Sequence, residues 1–222
     1  MFHSTTIQFL KDLKKNNNKE WFEKNRKNYD AAKIDFLNFV TSIINELQKK
    51  DTTLTGLDAK QCIFRINRDV RFSKNKSPYK TNMGASFNQG GKKAMTAGYY
   101  FHLEPEACFI AGGLWMPMPP ELKKIRQEID YNFNEFKNIV NNKNFKLLFK
   151  DLRRDKEYIL SRPPKGYEEN NLAIEYLKLK SFIISIKIED EDLTNKNLIK
   201  KVISAFETMQ PLIYFLNKAI EE

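Results

Sequence analysis

Between Arg65 and Lys80 the chain gathers six basic side chains, Arg65, Arg68, Arg71, Lys74, Lys76 and Lys80, around one acid, Asp69. Six bases against one acid leave +5 in this stretch, half of the formal +10 of the whole chain. Guanidinium forks match phosphate and carboxylate oxygens bidentately. Two arginines partly neutralised by one Asp keep planar donors to spare, so the run reads as a site for an anion. On an extended backbone Arg65, Asn67, Asp69 and Arg71 share a face, and Arg68 points the other way. Asp69 between guanidinium groups is then held ionised and orients them. Arg65 and Arg71 are the expected oxygen binders, Arg68, Lys76 and Lys80 add charge, and Tyr79 stands beside the last. The same cluster also reads as an internal salt-bridge network without a ligand, in which Arg71→Ala leaves Asp69 buried and unpaired.

A second constellation lies in Gly98–Glu104, where Tyr100, His102 and Glu104 alternate onto one face and Tyr99, Phe101 and Leu103 onto the other. If that face meets the arginine segment, Asp69, His102 and Glu104 suffice for general acid–base work. A structural His bonded to a neighbour across a sheet is the competing reading. A metal held by His102, Glu104 and Asp69 lacks any dense His/Cys spacing to support it, so no metal ligand is assigned and the cofactor stays open. Gly90-Gly91-Lys92-Lys93 is Gly-rich and basic, the composition of an anion-cradling or mobile loop. There is no Walker loop, dinucleotide fingerprint or Gly-x-Ser-x-Gly elbow.

These residues need elements to hold them. Ser4, Thr5 and Thr6 are candidate caps for a helix with Ile7, Leu10 and Leu13 inward. After Asn16-Asn17-Asn18, an apolar stripe predicts one long helix over 19–49. Residues 51–58 read as loop, and from Gln61 the period changes to two, predicting a strand through the arginine segment. Residues 73–80 are turn-like and 84–91 read as a polar loop. Strands are predicted over 98–103 and 107–111, joined at Glu104-Pro105-Glu106. Helices follow over 117–130, 134–141, 144–153 and 173–177, then a strand over 182–188 and a last helix from about Asn195, with Pro211 inside it as an expected kink. Helices, strands, helices, one strand and a helix make an α+β fold, a mixed or antiparallel sheet with several helices, in a single domain over 1–222.

Four stretches resemble an uncharacterised family catalogued only as a domain of unknown function, mainly bacterial and also fungal. They are Phe64–Phe72 with Lys76, Pro78, Tyr79, Lys80 and Thr81; Gly98–Pro105; Gly112–Pro117; and Arg162–Tyr167. The Arg65-x-x-Arg68-Asp69-x-Arg71-Phe72 run is the most specific. The resemblance spans essentially the whole chain and implies one domain of this length, with no activity, substrate or cofactor attached.

Composition narrows the rest. Cys62 and Cys108 sit among apolar neighbours and read as buried free thiols. The start of the chain lacks a signal-peptide pattern, and no run approaches the roughly 18 apolar residues of a membrane span. The expectation is a cytoplasmic protein with no membrane partner. With a pI near 9.4, its leading partner is an anionic small molecule, phosphate or carboxylate, with hydrolysis as the reaction if there is one. Nucleic acid stacking on Phe72 and Tyr79 and a structural or protein-interaction domain are the alternatives. Oligomeric state is not legible.

Overall fold

In the computed structural model, which describes residues 1–221, helix α1 (Ser4–Lys15) buries Thr6, Phe9, Leu10 and Leu13 on one face. Its cap is His3 rather than the expected Ser4–Thr6, which form the first turn. The orphan donors there are met from the third helix, where Asp35 accepts from the His3 backbone N–H (2.9 Å) and the Thr6 hydroxyl (2.6 Å). The single helix predicted over 19–49 is two, α2 (Lys19–Lys24) and α3 (Arg26–Leu47). They part at Asn25, whose side-chain amide takes the Trp21 carbonyl (3.0 Å) and so competes with the helical ladder. An apolar stripe alone cannot reveal such a break, because it continues through it.

The strand expected from Gln61 through the arginine segment does not form. Asp58 and Gln61 form a capping box that starts a one-turn helix, α4 (Ala59–Cys62). From Ile63 the backbone is extended and pairs through two isolated antiparallel bridges, Ile63 with Ala85 and Asn67 with Tyr79. The predicted loop over 84–91 is corrected as well, since β1 (Met83–Phe87) occupies its first half. The hairpin forms with its first strand as predicted, β2 (Gly98–Leu103), while the second, β3 (Phe109–Leu114), starts later than the expected Ala107 and continues through the glycines; Ala107 lies in the turn, where its N–H donates to the Glu104 carbonyl (3.0 Å).

Helices α5 (Pro119–Tyr131), α6 (Phe133–Val140) and α7 (Lys143–Phe149) follow, α7 stopping short of the expected Arg153 at Lys150, where φ is +65°. Then come α8 (Ile174–Leu177), β4 (Phe182–Lys187) and α9 (Leu198–Glu221), with Pro211 inside α9. The four strands form one antiparallel sheet in the order β1-β2-β3-β4. The fold is α+β. Among the described residues no helix is long and apolar enough to cross a membrane.

The chain divides into two compact units. The first comprises residues 1–94, 100–110 and 187–204, with a core rich in phenylalanine. Phe101 of β2 lies 4.7 Å from Phe39 and 6.0 Å from Phe2, ring centre to ring centre. Such pairs add about 0.5–1.5 kcal/mol each beyond area burial, and they fix the β2 backbone from its inner face. The second unit comprises residues 95–99, 111–186 and, of the described residues, 205–221, with Ile125, Ile129, Phe136, Phe182, Phe206 and Leu216 buried among its residues.

Candidate functional site

Period-two geometry on β2 buries Tyr99, Phe101 and Leu103 and turns Tyr100, His102 and Glu104 to the opposite face. There the three side chains bond in sequence. Glu104 Oε2 lies 3.0 Å from His102 Nε2, and His102 Nδ1 lies 3.1 Å from the Tyr100 hydroxyl. Glu104 Oε1 accepts from the Thr81 hydroxyl (2.8 Å), which orients the carboxylate. The imidazole stacks on Phe109 at 4.5 Å and is largely buried, its side chain 12% exposed. A carboxylate only accepts, so Nε2 carries a proton toward Glu104, and the neutral ring leaves Nδ1 to accept from Tyr100.

Tyr100 opens into a cleft of about 180 Å³ lined by Phe64, Arg65, Lys80, Asn82, Gly84 and Tyr100. Gly84 is required there: a Cβ on it would fall 2.5 Å from the Tyr100 oxygen. The small residues of β1 thus seat the end of the relay. Burial, with Glu104 and Cys108 adding to it, pushes the Tyr100 phenol up to about 12, so it is a neutral proton carrier near pH 7. The Lys80 ammonium lies 5.4 Å from the Phe64 ring centre. Burial first, and the Arg65 charge second, hold Lys80 below the usual lysine value. Among the described residues neither Arg65 nor Lys80 has a carboxylate within ion-pairing distance, whereas Arg71, Arg153, Arg154 and Lys178 each have one. Two cations face a cleft with no acid to answer them.

The rest of the arginine segment is arranged differently from the expectation. Arg71 closes a bidentate pair on Asp69, Nε to Oδ1 at 3.0 Å and the terminal nitrogen to Oδ2 at 2.7 Å, and its backbone N–H donates to Oδ1 (3.2 Å). That pairing holds the Asp69 carboxyl below the usual range. Both side chains are solvent-exposed, so the internal-tie reading loses its premise of a buried Asp69, and exposed pairs contribute little to stability. Asp69 is engaged by its neighbour two residues on, which removes it from the acid–base group. Arg68, as expected, points the other way, donating to the Ser77 carbonyl (3.0 Å) and the Ser73 hydroxyl (3.3 Å). Lys76 donates to the carbonyls of Val70 (3.1 Å) and Arg71 (3.4 Å) and ties the loop to itself. Tyr79 is buried, its ring stacked on Phe22 at 3.9 Å, while its backbone N–H and C=O bond both ends of the Asn17 side-chain amide (3.1 and 2.9 Å).

His102 and Glu104 therefore come together with Arg65 and Lys80 in one unit, whereas Asp69, Arg71 and Lys76 belong to the loop's own bracing. Reading the sequence placed Tyr100 on one face with His102 and Glu104 but gave it no role, and it gave no site role to Phe64, Thr81, Asn82 or Gly84, whose relevance comes from tertiary contact. Lys92, in the basic Gly loop, donates to the carbonyls of Ile63 (2.6 Å) and Lys60 (3.1 Å) beside the end of α4, which gives it a local structural partner. Among the described residues no three His, Cys, Asp or Glu side chains gather closely enough to hold a metal ion. Cys62 and Cys108 are free and buried, and burial pushes both thiols up to about 12.

No curated protein and no solved structure matches the chain. A family described as "Conserved hypothetical protein (DUF2461)" matches residues 5–215. The chain belongs to that family.

Proposed function

We propose that this member of the DUF2461 family is a cytoplasmic protein that binds a phosphate- or carboxylate-bearing ligand between Arg65 and Lys80, with Tyr100, His102 and Glu104 as its acid–base relay. The observation that carries the reading is the pair of cations without a carboxylate, set beside a hydrogen-bonded Tyr–His–Glu chain that ends in the same cleft. Cations crowded together repel, and an anion bound between them relieves that repulsion. Hydrolysis is the reaction this arrangement suits. A water in the cleft gives its proton to the Tyr100 oxygen as Tyr100 passes its own to His102 Nδ1, and Glu104 stabilises the imidazolium. The reverse transfer protonates the leaving oxygen.

The test is calorimetric titration of wild type, Arg65→Gln and Lys80→Gln with inorganic phosphate and with oxalate. Each substitution is expected to weaken binding of at least one anion by roughly tenfold or more, the worth of a charge-assisted hydrogen bond. Unchanged affinities in both variants would end the proposal.

A second reading, binding of single-stranded nucleic acid, rests on Phe72, which is 97% exposed, with the Arg71 guanidinium 5.9 Å from its ring centre. An exposed ring on a basic loop suits base stacking. Oligonucleotide affinity that fails to fall with rising salt would remove it.

A further inference from the structure

A second cleft, of about 330 Å³, adjoins the first and shares Lys80 and Asn82 with it. Its other walls include Lys14 of α1, Arg68 and Thr81, and no carboxylate residue lines it. Resting on the anion-binding reading of the first cleft, we propose that the ligand carries two anionic groups, one between Arg65 and Lys80 and the other between Lys80, Arg68 and Lys14, in the manner of a sugar-sized spacer with a phosphate at each end.

Three observations support two seats rather than one. Arg65 lines the first cleft and Arg68 the second, so each cleft receives its own guanidinium while Lys80 stands in both. The two linings share only Lys80 and Asn82, so an anion seated in one is set apart from an anion in the other, which favours a spacer between them. The second cleft is also held in shape before any ligand arrives. Two of the Arg68 donors are fixed on Ser77 and Ser73, and Asn17 locks the Tyr79 backbone, so Lys14 and Arg68 are presented from braced elements. Lys14 reaches Glu106 at 3.3 Å, an exposed pair that an incoming anion can replace. Thr81, already donating to Glu104, connects the wall of the second cleft to the relay of the first.

The experiment compares fructose 6-phosphate with fructose 1,6-bisphosphate, and adds a short oligothymidylate, by calorimetry at fixed salt. Wild type is expected to bind the bisphosphate at least tenfold more tightly than the monophosphate. Lys14→Gln should reduce that ratio to about threefold or less by weakening the bisphosphate more than the monophosphate, and Arg68→Gln should do the same. Because Arg68 also braces its loop, Lys14→Gln is the deciding variant, as Lys14 makes no bond that shapes the cleft. Arg65→Gln should weaken both sugars together. If the oligothymidylate binds more tightly than the bisphosphate, with the same loss in Lys14→Gln, the two anions are successive phosphates of a nucleic acid strand. Equal affinities for the two sugars, or a ratio insensitive to Lys14→Gln, overturn the two-seat proposal while the Arg65 cleft stands. Failure of Arg65→Gln to affect either sugar overturns the cleft itself.

Discussion

His102 has two distinct jobs, one per ring nitrogen, and they can be separated by substitution. His102→Gln removes the site that takes the Tyr100 proton, and phosphatase or esterase turnover on a nitrophenyl substrate should fall about 10²- to 10⁴-fold. Glu104→Gln keeps the size and an acceptor oxygen but loses the negative charge that stabilises the imidazolium, so turnover should fall while anion affinity at Arg65 and Lys80 stays. Gly84→Ala tests the relay from the opposite side. The new methyl meets the Tyr100 oxygen and should push it off His102, lowering turnover more than the thermal midpoint. Arg71→Ala should leave the midpoint unchanged in a melting experiment, because its pair with Asp69 stands in solvent. A large drop would restore the internal-tie reading. At this scale the sequence is deceptive in one specific way. Residues two apart on a bent chain can satisfy each other locally, as Asp69 and Arg71 do, and charge density alone does not tell such a pair from a ligand site. Tyr100, His102 and Glu104 were legible as a face because strand alternation is a local property. Their meeting with Lys80 and Gly84 is tertiary and leaves no mark in spacing.

The elements that carry this site differ in how openly the sequence announces them. Bulky alternation declares β2 and β4, and a Pro-Pro start declares α5. β1 conceals itself: Gly84, Ala85 and Ser86 look like loop because they are small, and Gly84 is small because the Tyr100 ring lies against it. α4 is visible only through its capping pair, Asp58 and Gln61, at a spacing of three. Where β3 approaches β4 the backbone tolerates no side chain. Gly113 has φ +116°, and a Cβ there would overlap the Phe182 carbonyl. Gly113→Ala should therefore destabilise by several kcal/mol, in the range that marks backbone strain or overpacking, and denaturant titration will show it. Gly56 and Gly166 also have positive φ but open space around them, so alanine there should show only the smaller conformational cost.

For the molecule as a whole, two buried thiols and one partly buried phenol weaken the fold at alkaline pH. Cys62 and Cys108 rise from 9.0, and Tyr100 from 10.0, to about 12 on folding. The unfolded chain thus loses these protons first, so their contribution is complete below pH 9, erodes as pH rises and is gone above about 12. Urea unfolding at pH 8 and pH 10.5 should show a lower midpoint at the higher pH. Thiol labelling at pH 8 should be slow in the folded protein and fast once it is unfolded. One further consequence concerns how molecules of this chain behave toward one another. The Asn67–Tyr79 bridge belongs to a two-stranded ribbon in which Arg68 N–H donates to Pro78 O and Lys80 N–H to Ile66 O, so Tyr79 turns its own N–H and C=O outward. Such an open edge can recruit another strand. Asn17 occupies it with a primary amide, one donor and one acceptor at the spacing of a peptide group. A single side chain thus imitates the neighbouring strand and ends the sheet there. Asn17→Ala would uncover that edge, and light scattering during slow heating should rise earlier than in wild type.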